Sequence, residues 1–283
     1  MYELRTPAGD LGRFIEHYWF VTHRPGEVVD LRVDVFVDGR ADLIFNFGAP
    51  YRREILGGEA REISSSNLDA QRLEPIRIVQ RGPVRITGVR FWLGGLGPFV
   101  RTPLRDLTNT TSAPADAFGA EALALEEGLR ASPDVDDHAR RLDAFFRSRM
   151  DLEPGYEAFD RALRASVATD GASTVESIAA VAGISARQTE RLFARWLGIP
   201  PKTLGRVLRF QRALRALMRD PGCALADVAA EAGYFDQAHF IKDFRRMSGG
   251  VPRGYRGYFP PEGPADFAPN VVVFLQEAKA RRR

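Results

Sequence analysis

Apolar and polar residues alternate in several segments of the first 110 residues, and this period of two is typical of β-strands. The segments are rich in β-branched and aromatic residues, and glycine-containing turn dipeptides separate them. They span residues 14–21, 41–47, 76–79 and 84–92. Several short strands joined by turns predict an antiparallel barrel or sandwich for this part of the chain.

The spacing of apolar residues becomes helical over residues 115–168. Leu142, Phe146 and Met150, for example, fall on one face of a helix. We expect this helical extension to pack on the β region and to offer a surface for dimerisation. Residues 169–173 are polar and form a predicted linker to the C-terminal region. The predicted helices span residues 120–129, 137–150 and 156–167.

Residues 178–259 contain a pattern of two short helices that occurs twice. Gly183 and Gly233, fifty residues apart, each end a first helix of mainly small residues. A capping residue, Ser185 or Asp236, then starts a second helix, and glycine followed by proline closes each unit. Two short helices around a glycine turn are how many proteins insert a helix into the major groove of DNA. The repeat therefore predicts a DNA-binding domain.

Each second helix has an apolar face for the protein core and another face for DNA. On the predicted helix 186–197, Leu192, Phe193 and Trp196 share one face, and the predicted helix 237–248 has a matching apolar stripe. Most side chains on the opposite faces suit hydrogen bonds to base edges, and an isoleucine suits a thymine methyl group. The predicted base-reading residues are Arg187, Glu190, Arg191, Gln237, Ala238, Ile241 and Lys242.

A long predicted helix over residues 201–218 joins the two units, starting at two prolines and ending before residues 220–222. If both second helices enter one face of B-DNA, we expect them to lie about one turn apart, ~34 Å. Basic side chains around these helices are candidates for DNA phosphates, two of them in a predicted final helix. The predicted phosphate contacts are Arg195, Lys202, Arg206, His239, Arg245, Arg253 and Arg256.

Charge is distributed unevenly along the chain. The net charge is +3, yet residues 165–259 carry 14 Arg and Lys against eight Asp and Glu, whereas residues 1–164 carry 22 against 26. Positive charge therefore coincides with the repeat, as phosphate binding requires. The 283 residues have room for about two domains. Because the sequence shows neither a signal peptide nor a run of about 18 apolar residues, we expect a cytoplasmic protein.

An enzyme built on a cupin-like metal-binding barrel is the main competing hypothesis. Only His17 and His23 lie in the β region, and six residues apart on a strand they are too distant to chelate one ion easily. The single Cys223 cannot form an internal disulfide, and no base is evident near it, so we expect an inert thiol. We expect no catalytic residue, metal or cofactor.

Specific residues of the repeat match a known motif. In the second unit they are Ala232, Gly233, Tyr234, Asp236, Phe240, Phe244, Arg245, Arg246, Gly249, Pro252, Tyr255 and Arg256. In the first unit they are Ala179, Ala182, Gly183, Ser185, Arg191, Phe193, Gly198 and Pro201. Through these residues, positions 165–259 resemble the AraC/XylS family of bacterial transcription regulators. Two positions depart from the family pattern, Thr189 in place of the usual leucine and Val251 in place of serine or threonine.

The resemblance implies a transcription factor, either activator or repressor, in which two helix-turn-helix units and a linker helix recognise an asymmetric promoter site as a monomer. It also implies double-stranded DNA and RNA polymerase as partners. The N-terminal half resembles, more loosely, a β domain often found before this module. That second resemblance rests on Tyr18, Trp19, residues 37–45, residues 88–91 and Gly94–Gly95.

The N-terminal domain has three interpretations. It can sense a small-molecule effector, in a pocket where aromatic residues and an arginine suit an acidic or aromatic ligand. It can instead only form homodimers or other oligomers, with no ligand. The same residues can also be ordinary core, with Arg90 in a salt bridge. The predicted pocket residues are Trp19, Phe45, Asn46, Arg90 and Trp92.

The predicted fold class is α+β multidomain, with an N-terminal antiparallel β barrel or sandwich and a C-terminal all-α domain. The predicted β domain covers residues 1–112, and the helical extension covers residues 113–168. The predicted DNA-binding domain covers residues 169–259, and a tail covers residues 260–283 with a short strand or docked apolar segment over 271–275.

Overall fold

The structure is a computed structural model, and it describes residues 2–22, 30–56, 58–63, 65–220 and 222–256. His23 and the predicted tail over residues 260–283, including the segment 271–275, lie outside the described residues. Within the described ranges, no helix is long and apolar enough to cross a membrane.

The N-terminal strands form two antiparallel sheets. They are β1 (Tyr2–Arg5), β2 (Ile15–Thr22), β3 (Asp30–Val35), β4 (Asp42–Asn46), β5 (Tyr51–Ile55), β6 (Ala60–Ile63), β7 (Asn67–Asp69), β8 (Ile76–Arg81), β9 (Arg85–Phe91) and β10 (Thr111–Ser112). One sheet has the order β1-β2-β9-β4-β7-β10, and the other has the order β3-β8-β5-β6. The described strands therefore form two open antiparallel sheets, and the alternative of a closed barrel is not observed.

The two faces of the larger sheet have different partners. In the register of β4 with β9, Leu43 pairs with Val89, and both are fully buried in the large apolar core beneath the helices. On the other face, Trp19 lies over Gly88, where a side chain of any size would overlap the indole ring. This second face meets the smaller sheet through a small apolar cluster. Its members are Tyr2, Trp19, Val21, Val35, Ile78, Val84 and Ile86.

Helices follow the sheets in chain order. They are α1 (Pro114–Phe118), α2 (Ala120–Ala131), α3 (Val135–Arg149), α4 (Tyr156–Ala168), α5 (Val175–Ala182), α6 (Ala186–Trp196), α7 (Pro201–Arg219), α8 (Leu225–Glu231) and α9 (Gln237–Ser248). The predicted final helix, with Arg253 and Arg256, is instead a short 3-10 turn over Pro252–Tyr255 with Arg256 as its C-cap. Three capping side chains explain why helices of the repeat start where they do, since each accepts a hydrogen bond from a free backbone N–H. Thr174 accepts from the Ser177 amide, Ser185 accepts from the Gln188 amide, and Asp236 accepts from the His239 amide.

One apolar core continues from the β region into the first helix pair of the repeat. Trp196 of α6 packs on Tyr156 of α4 with ring centroids 5.0 Å apart, and Phe193 packs on Phe159 at 5.2 Å. A methyl group placed on Gly97 would lie only 2.8 Å from the Trp196 ring. The first unit of the repeat therefore shares its core with the N-terminal half.

The second unit contacts the β region at a different place. The Val37 amide donates to the Met247 carbonyl oxygen at 3.2 Å, and the Gln211 side chain donates to the Val37 carbonyl oxygen at 2.6 Å. Next to them, Phe36 meets Tyr255 edge to face with centroids 5.2 Å apart. The segment after β3 therefore fixes α7 and α9 to the sheets.

The polar linker after α4 is packed against α7. Gly171, with a φ of +74°, lies against Gly205 in the first half of α7, and Arg209 donates to the Gly171 carbonyl oxygen at 3.3 Å. A Cβ on Gly205 would lie 2.8 Å from that same carbonyl oxygen. The two glycines therefore allow a close backbone contact that no other residue pair permits.

We expect Gly205→Ala to lower the free energy of unfolding by about 1–3 kcal/mol, because the new methyl group overpacks the contact with Gly171. In an ordinary helix interior the same change raises stability by up to about 1 kcal/mol. Gly128→Ala in α2 is the matched control, because its methyl group meets only the guanidinium end of Arg141. Urea unfolding of both variants measures the difference, and a stabilised G205A protein would contradict the close contact.

Candidate nucleic-acid interface

The outer face of α6 presents the residues predicted to read bases in the first unit. Arg187, Glu190 and Arg191 are all exposed, while Phe193 and Trp196 on the other side are buried. Within the described part of the chain, Arg187 and Arg191 form no ion pair and no side-chain hydrogen bond. Two cations one helical turn apart are thus available near the start of a capped helix, as base or phosphate contacts require.

Thr189 departs from the family pattern without disturbing this helix. Its side chain is fully buried, and its hydroxyl donates to the Ser185 carbonyl oxygen at 3.1 Å. Since a buried hydroxyl is costly only when it is unpaired, the helix accommodates threonine here.

The second helix presents a less charged face. Gln237, Ala238 and Lys242 of α9 are exposed. Ile241 is half-buried and packs against the apolar core of the second unit, so only part of it faces outward. The His239 ring is exposed and meets Tyr234 edge to face at 5.3 Å.

The predicted phosphate contacts divide into an exposed group and a partly buried group. In the partly buried group, Arg195 donates to Glu153 at 2.8 Å. Arg206 donates to buried Asp243 at 2.6 Å, a hydrogen bond that raises the pKa of Arg206. Arg256 donates to the Cys223 carbonyl oxygen at 2.7 Å. These three arginines therefore already have partners within the protein. The exposed group consists of Lys202, His239, Arg245 and Arg253.

An exposed phenylalanine, which the sequence patterns do not predict as a site residue, lies beside this surface. Phe235 is 94% exposed and immediately precedes Asp236, the residue that caps α9. The sequence contains a signal for this residue. Tyr234 and Phe235 are adjacent aromatic residues just before the cap, and one aromatic side chain is enough to fill the core at this point. Tyr234 is the buried one. The Phe235 ring therefore lies almost wholly in water beside the start of α9.

The five residues predicted to line an effector pocket do not share one pocket. Strand alternation places Phe45 in the large core on one face, and Trp19, Asn46 and Arg90 on the other face of the sheet. Trp92 lies at the end of β9, where it is partly exposed, stacks under Arg40 at 4.9 Å and donates to the Gly12 carbonyl oxygen. The prediction of a single pocket was wrong because Phe45 and Asn46 are consecutive in β4, and consecutive side chains in a strand point to opposite faces of the sheet.

Arg90 is the centre of a buried ion-pair network. Its guanidinium is 3% exposed, donates to Asp42 at 2.6 Å, pairs with Asp38 and lies 3.4 Å from Glu16. Burial alone lowers the pKa of Arg90, but these carboxylates outweigh it and raise the pKa. Burial also raises the pKa of Asp42 to about 6, against the effect of Arg90. The alternative interpretation of Arg90 as a core salt bridge is therefore the one observed.

The described residues give no support for metal or thiol chemistry. Among them, no three His, Cys, Asp or Glu side chains lie close enough together to hold a metal ion. Burial raises the pKa of the Cys223 thiol, which disfavours the reactive thiolate.

Comparisons with known proteins agree with this arrangement. Residues 178–258 match a helix-turn-helix domain family, and residues 4–113 match a domain family of unknown function. The transcriptional activator NphR of a Rhodococcus species is 29% identical over 229 residues, covering 78% of this chain and 61% of NphR. The regulator GbdR of Pseudomonas aeruginosa is 33% identical over 82 residues, covering 29% of this chain and 22% of GbdR. The chain thus spans less than two thirds of either relative.

Among solved structures, an AraC-type transcriptional regulator from Chromobacterium violaceum matches with 25% identity and a TM-score of 0.36, covering 40% of this chain and 100% of that one. The matched domain is of the helix-turn-helix class, and NphR and GbdR, to which this chain is similar, are transcription regulators. The helix-turn-helix match and the similarity to these regulators confirm the resemblance drawn from the repeated motif.

The ionisation of His17 tests whether this side chain is buried next to Arg90. It pairs with Arg90 across β2 and β9, and burial lowers its pKa from 6.5 to about 4. The unfolded chain therefore binds a proton near pH 6.5 that the folded protein binds only near pH 4, so His17 lowers stability as pH falls through this window. We expect His17→Gln to flatten the fall in unfolding free energy between these pH values. Urea unfolding across the window measures it, and an unchanged slope would contradict burial of a neutral His17.

Proposed function

We propose that this chain regulates transcription by binding one promoter site through α6 and α9 together. The observation that carries the proposal is the pair of capped helices with exposed polar faces. Arg187 and Arg191 on α6, and Lys242 on α9, have no ionic partner within the described residues. Cations without partners contribute most to the free energy of binding phosphates and guanine edges, because no existing ion pair has to be broken.

The helix between the units supports simultaneous binding by both. α7 has 19 residues and is therefore about 28 Å long. It packs on α4, α6, α8 and α9 of the described structure, so it serves as a rigid spacer. A spacer of this length suits two helices that enter successive major grooves, about 34 Å apart, on one face of DNA.

RNA polymerase is the partner we expect beyond DNA. NphR is named a transcriptional activator, and an activator acts by raising the recruitment or activity of the polymerase. We extend this to the present chain as part of the proposal. A repressor that only blocks the promoter would need no such contact, so transcription in a purified system separates the two.

The N-terminal domain has two proposed roles, sensing an effector or forming a homodimer. Sensing is favoured by the apolar core that runs from the β region through Tyr156 into α6 at Trp196. A ligand that alters the packing of this core can alter the position of α6, and a change in DNA affinity needs such a link. A domain that only dimerises has no need of a shared core.

Direct binding is the experiment that tests the proposal. The purified chain is titrated onto its own upstream intergenic DNA and onto a random duplex at several salt concentrations. We expect tight, salt-dependent binding that prefers the upstream DNA. If several genomic fragments bind no better than the random duplex at any salt concentration, the proposed function is wrong.

Arg191 and Lys202 are expected to contribute differently. Arg191→Ala should cost about 1–3 kcal/mol on the specific site and relax the preference at one base pair. Lys202→Ala should weaken binding to all sequences alike and reduce the salt slope by about one. Both side chains are exposed, so neither change should unfold the protein. Equal losses on specific and random DNA after R191A would contradict base reading by Arg191.

Phe235 is expected to touch DNA because it adjoins the start of α9. Phe235→Ala should weaken specific binding by roughly 1 kcal/mol through lost apolar contact, without changing the salt slope, because no charge is removed. The thermal midpoint should stay the same, since the side chain is 94% exposed. Leu123→Ala, which removes an exposed apolar residue from α2, is the matched control. Equal DNA affinity in F235A and L123A would remove Phe235 from the interface.

A further inference from the structure

A cavity of about 740 Å³ lies between the helical extension and α6, the first of the two helices proposed to read bases. Its walls come from residues 97–102, the junction of α1 with α2, the end of α3 with residues 148–153, and Arg195 of α6. This volume falls in the range of pockets that hold metabolites and cofactors, about 300–1,000 Å³. The cavity is separate from the residues that sequence patterns had suggested as an effector pocket.

The cavity combines an apolar wall with three guanidinium groups. Phe99 and Phe118 are buried and supply the apolar part. Arg101, Arg149 and Arg195 supply the positive charge, and the carboxylates of Glu121, Asp151 and Glu153 line the same cavity. Burial, together with the charge of Arg101, lowers the pKa of Arg149.

Two nitrogen atoms of these arginines need a hydrogen-bond acceptor. Nε of Arg149 and Nη1 of Arg195 are buried and have no partner among the described residues. Their other nitrogens pair with Glu121 and Glu153, which are exposed at 72% and 45% of their side chains. Buried donors normally have a partner, because each unpaired one costs about 1–3 kcal/mol. The exposed glutamates form weaker ion pairs, which a bound anion can replace.

The start of α2 adds a further group of donors. Gly119, its N-cap, lines the cavity and has no side chain that could accept from the first backbone amides. The first amides of a helix are free donors, and the helix dipole attracts negative charge there. The dipole of the twelve-residue α2 and the arginines thus favour the same kind of ligand, an anion.

We propose that this cavity binds a small organic acid, with its acidic group between Arg149 and Arg195 and its apolar body against Phe99 and Phe118. The inference rests on the proposed regulatory function, because Arg195 belongs to α6, whose outer face carries Arg191. An acid that takes Arg195 away from Glu153 changes the contact between α6 and the helical extension. The ligand would therefore act on the first reading helix directly.

The test titrates the full chain with 3-phenylpropanoate and measures binding by calorimetry. We expect saturable binding with one site per chain, and no binding of the neutral amide of the same shape. Arg149→Gln should weaken binding about tenfold or more, because a charge-assisted hydrogen bond is lost. Arg140→Gln, an exposed arginine on the same helix α3 that pairs with Asp137, is the matched control and should bind as the wild type does. Phenyl phosphate is tested in parallel, and saturable binding of either acid supports an anion site.

Stability and specificity are controlled with further variants. Arg149 also stacks on Phe118 and Phe145, so thermal unfolding of R149Q is measured before binding. If R149Q does not fold, Arg195→Gln tests the second arginine of the proposed site, with the same loss expected. The proposal is overturned if neither acid binds saturably at millimolar concentrations. It is equally overturned if the amide binds as well as the acid, or if the folded variants bind as tightly as R140Q.

DNA titrations on the same preparations separate the two proposals. A protein that binds its upstream DNA selectively but neither acid loses only the cavity proposal. A protein that binds 3-phenylpropanoate but no DNA selectively loses the regulatory function and keeps the anion site. With both activities present, the acid should change the affinity for the specific duplex in wild type and R140Q, and should leave it unchanged in R149Q.

Discussion

The packing of Phe193 and Trp196 into the core of the N-terminal half is the interaction on which the arrangement of the molecule depends. Both rings are buried, and they meet Tyr156 and Phe159 at about 5 Å. Gly97 lets the Trp196 ring approach the backbone closely. Burying rings of this size contributes several kcal/mol. Helix α6 therefore cannot move away from the sheets without opening a well-packed core.

The second unit is attached to the β region at a different place and by a different mixture of contacts. Its contacts with the β region include two hydrogen bonds at Val37, the packing of Phe36 on Tyr255 and the approach of Leu56 to Gly249. Phe36 and Val37 are both buried within the apolar core of the second unit, so apolar burial adds to these hydrogen bonds. A shift of the segment after β3 would therefore act on α7 and α9, whereas α6 is held by the aromatic core.

Local signals explain how much of this structure could be predicted from sequence. The reading helices were predicted over 186–197 and 237–248 and observed over Ala186–Trp196 and Gln237–Ser248, because caps at Ser185 and Asp236 act within one turn. The single effector pocket failed because its residues were chosen by type without the strand register. The core shared by the β region and α6 joins residues about a hundred positions apart, and no local pattern reports such contacts.

The same limit applies to the arginines, whose role depends on partners that sequence does not show. Arg191 and Arg195 lie one turn apart on α6 and have the same chemistry. Arg191 is exposed and available, whereas Arg195 is paired with Glu153 and stacked on Trp196 at 4.3 Å. Positive charge in the repeat is thus divided between side chains available on the outer face and a side chain that attaches α6 to the helical extension. A ligand that competes for Arg195 acts on this attachment and leaves the outer face intact.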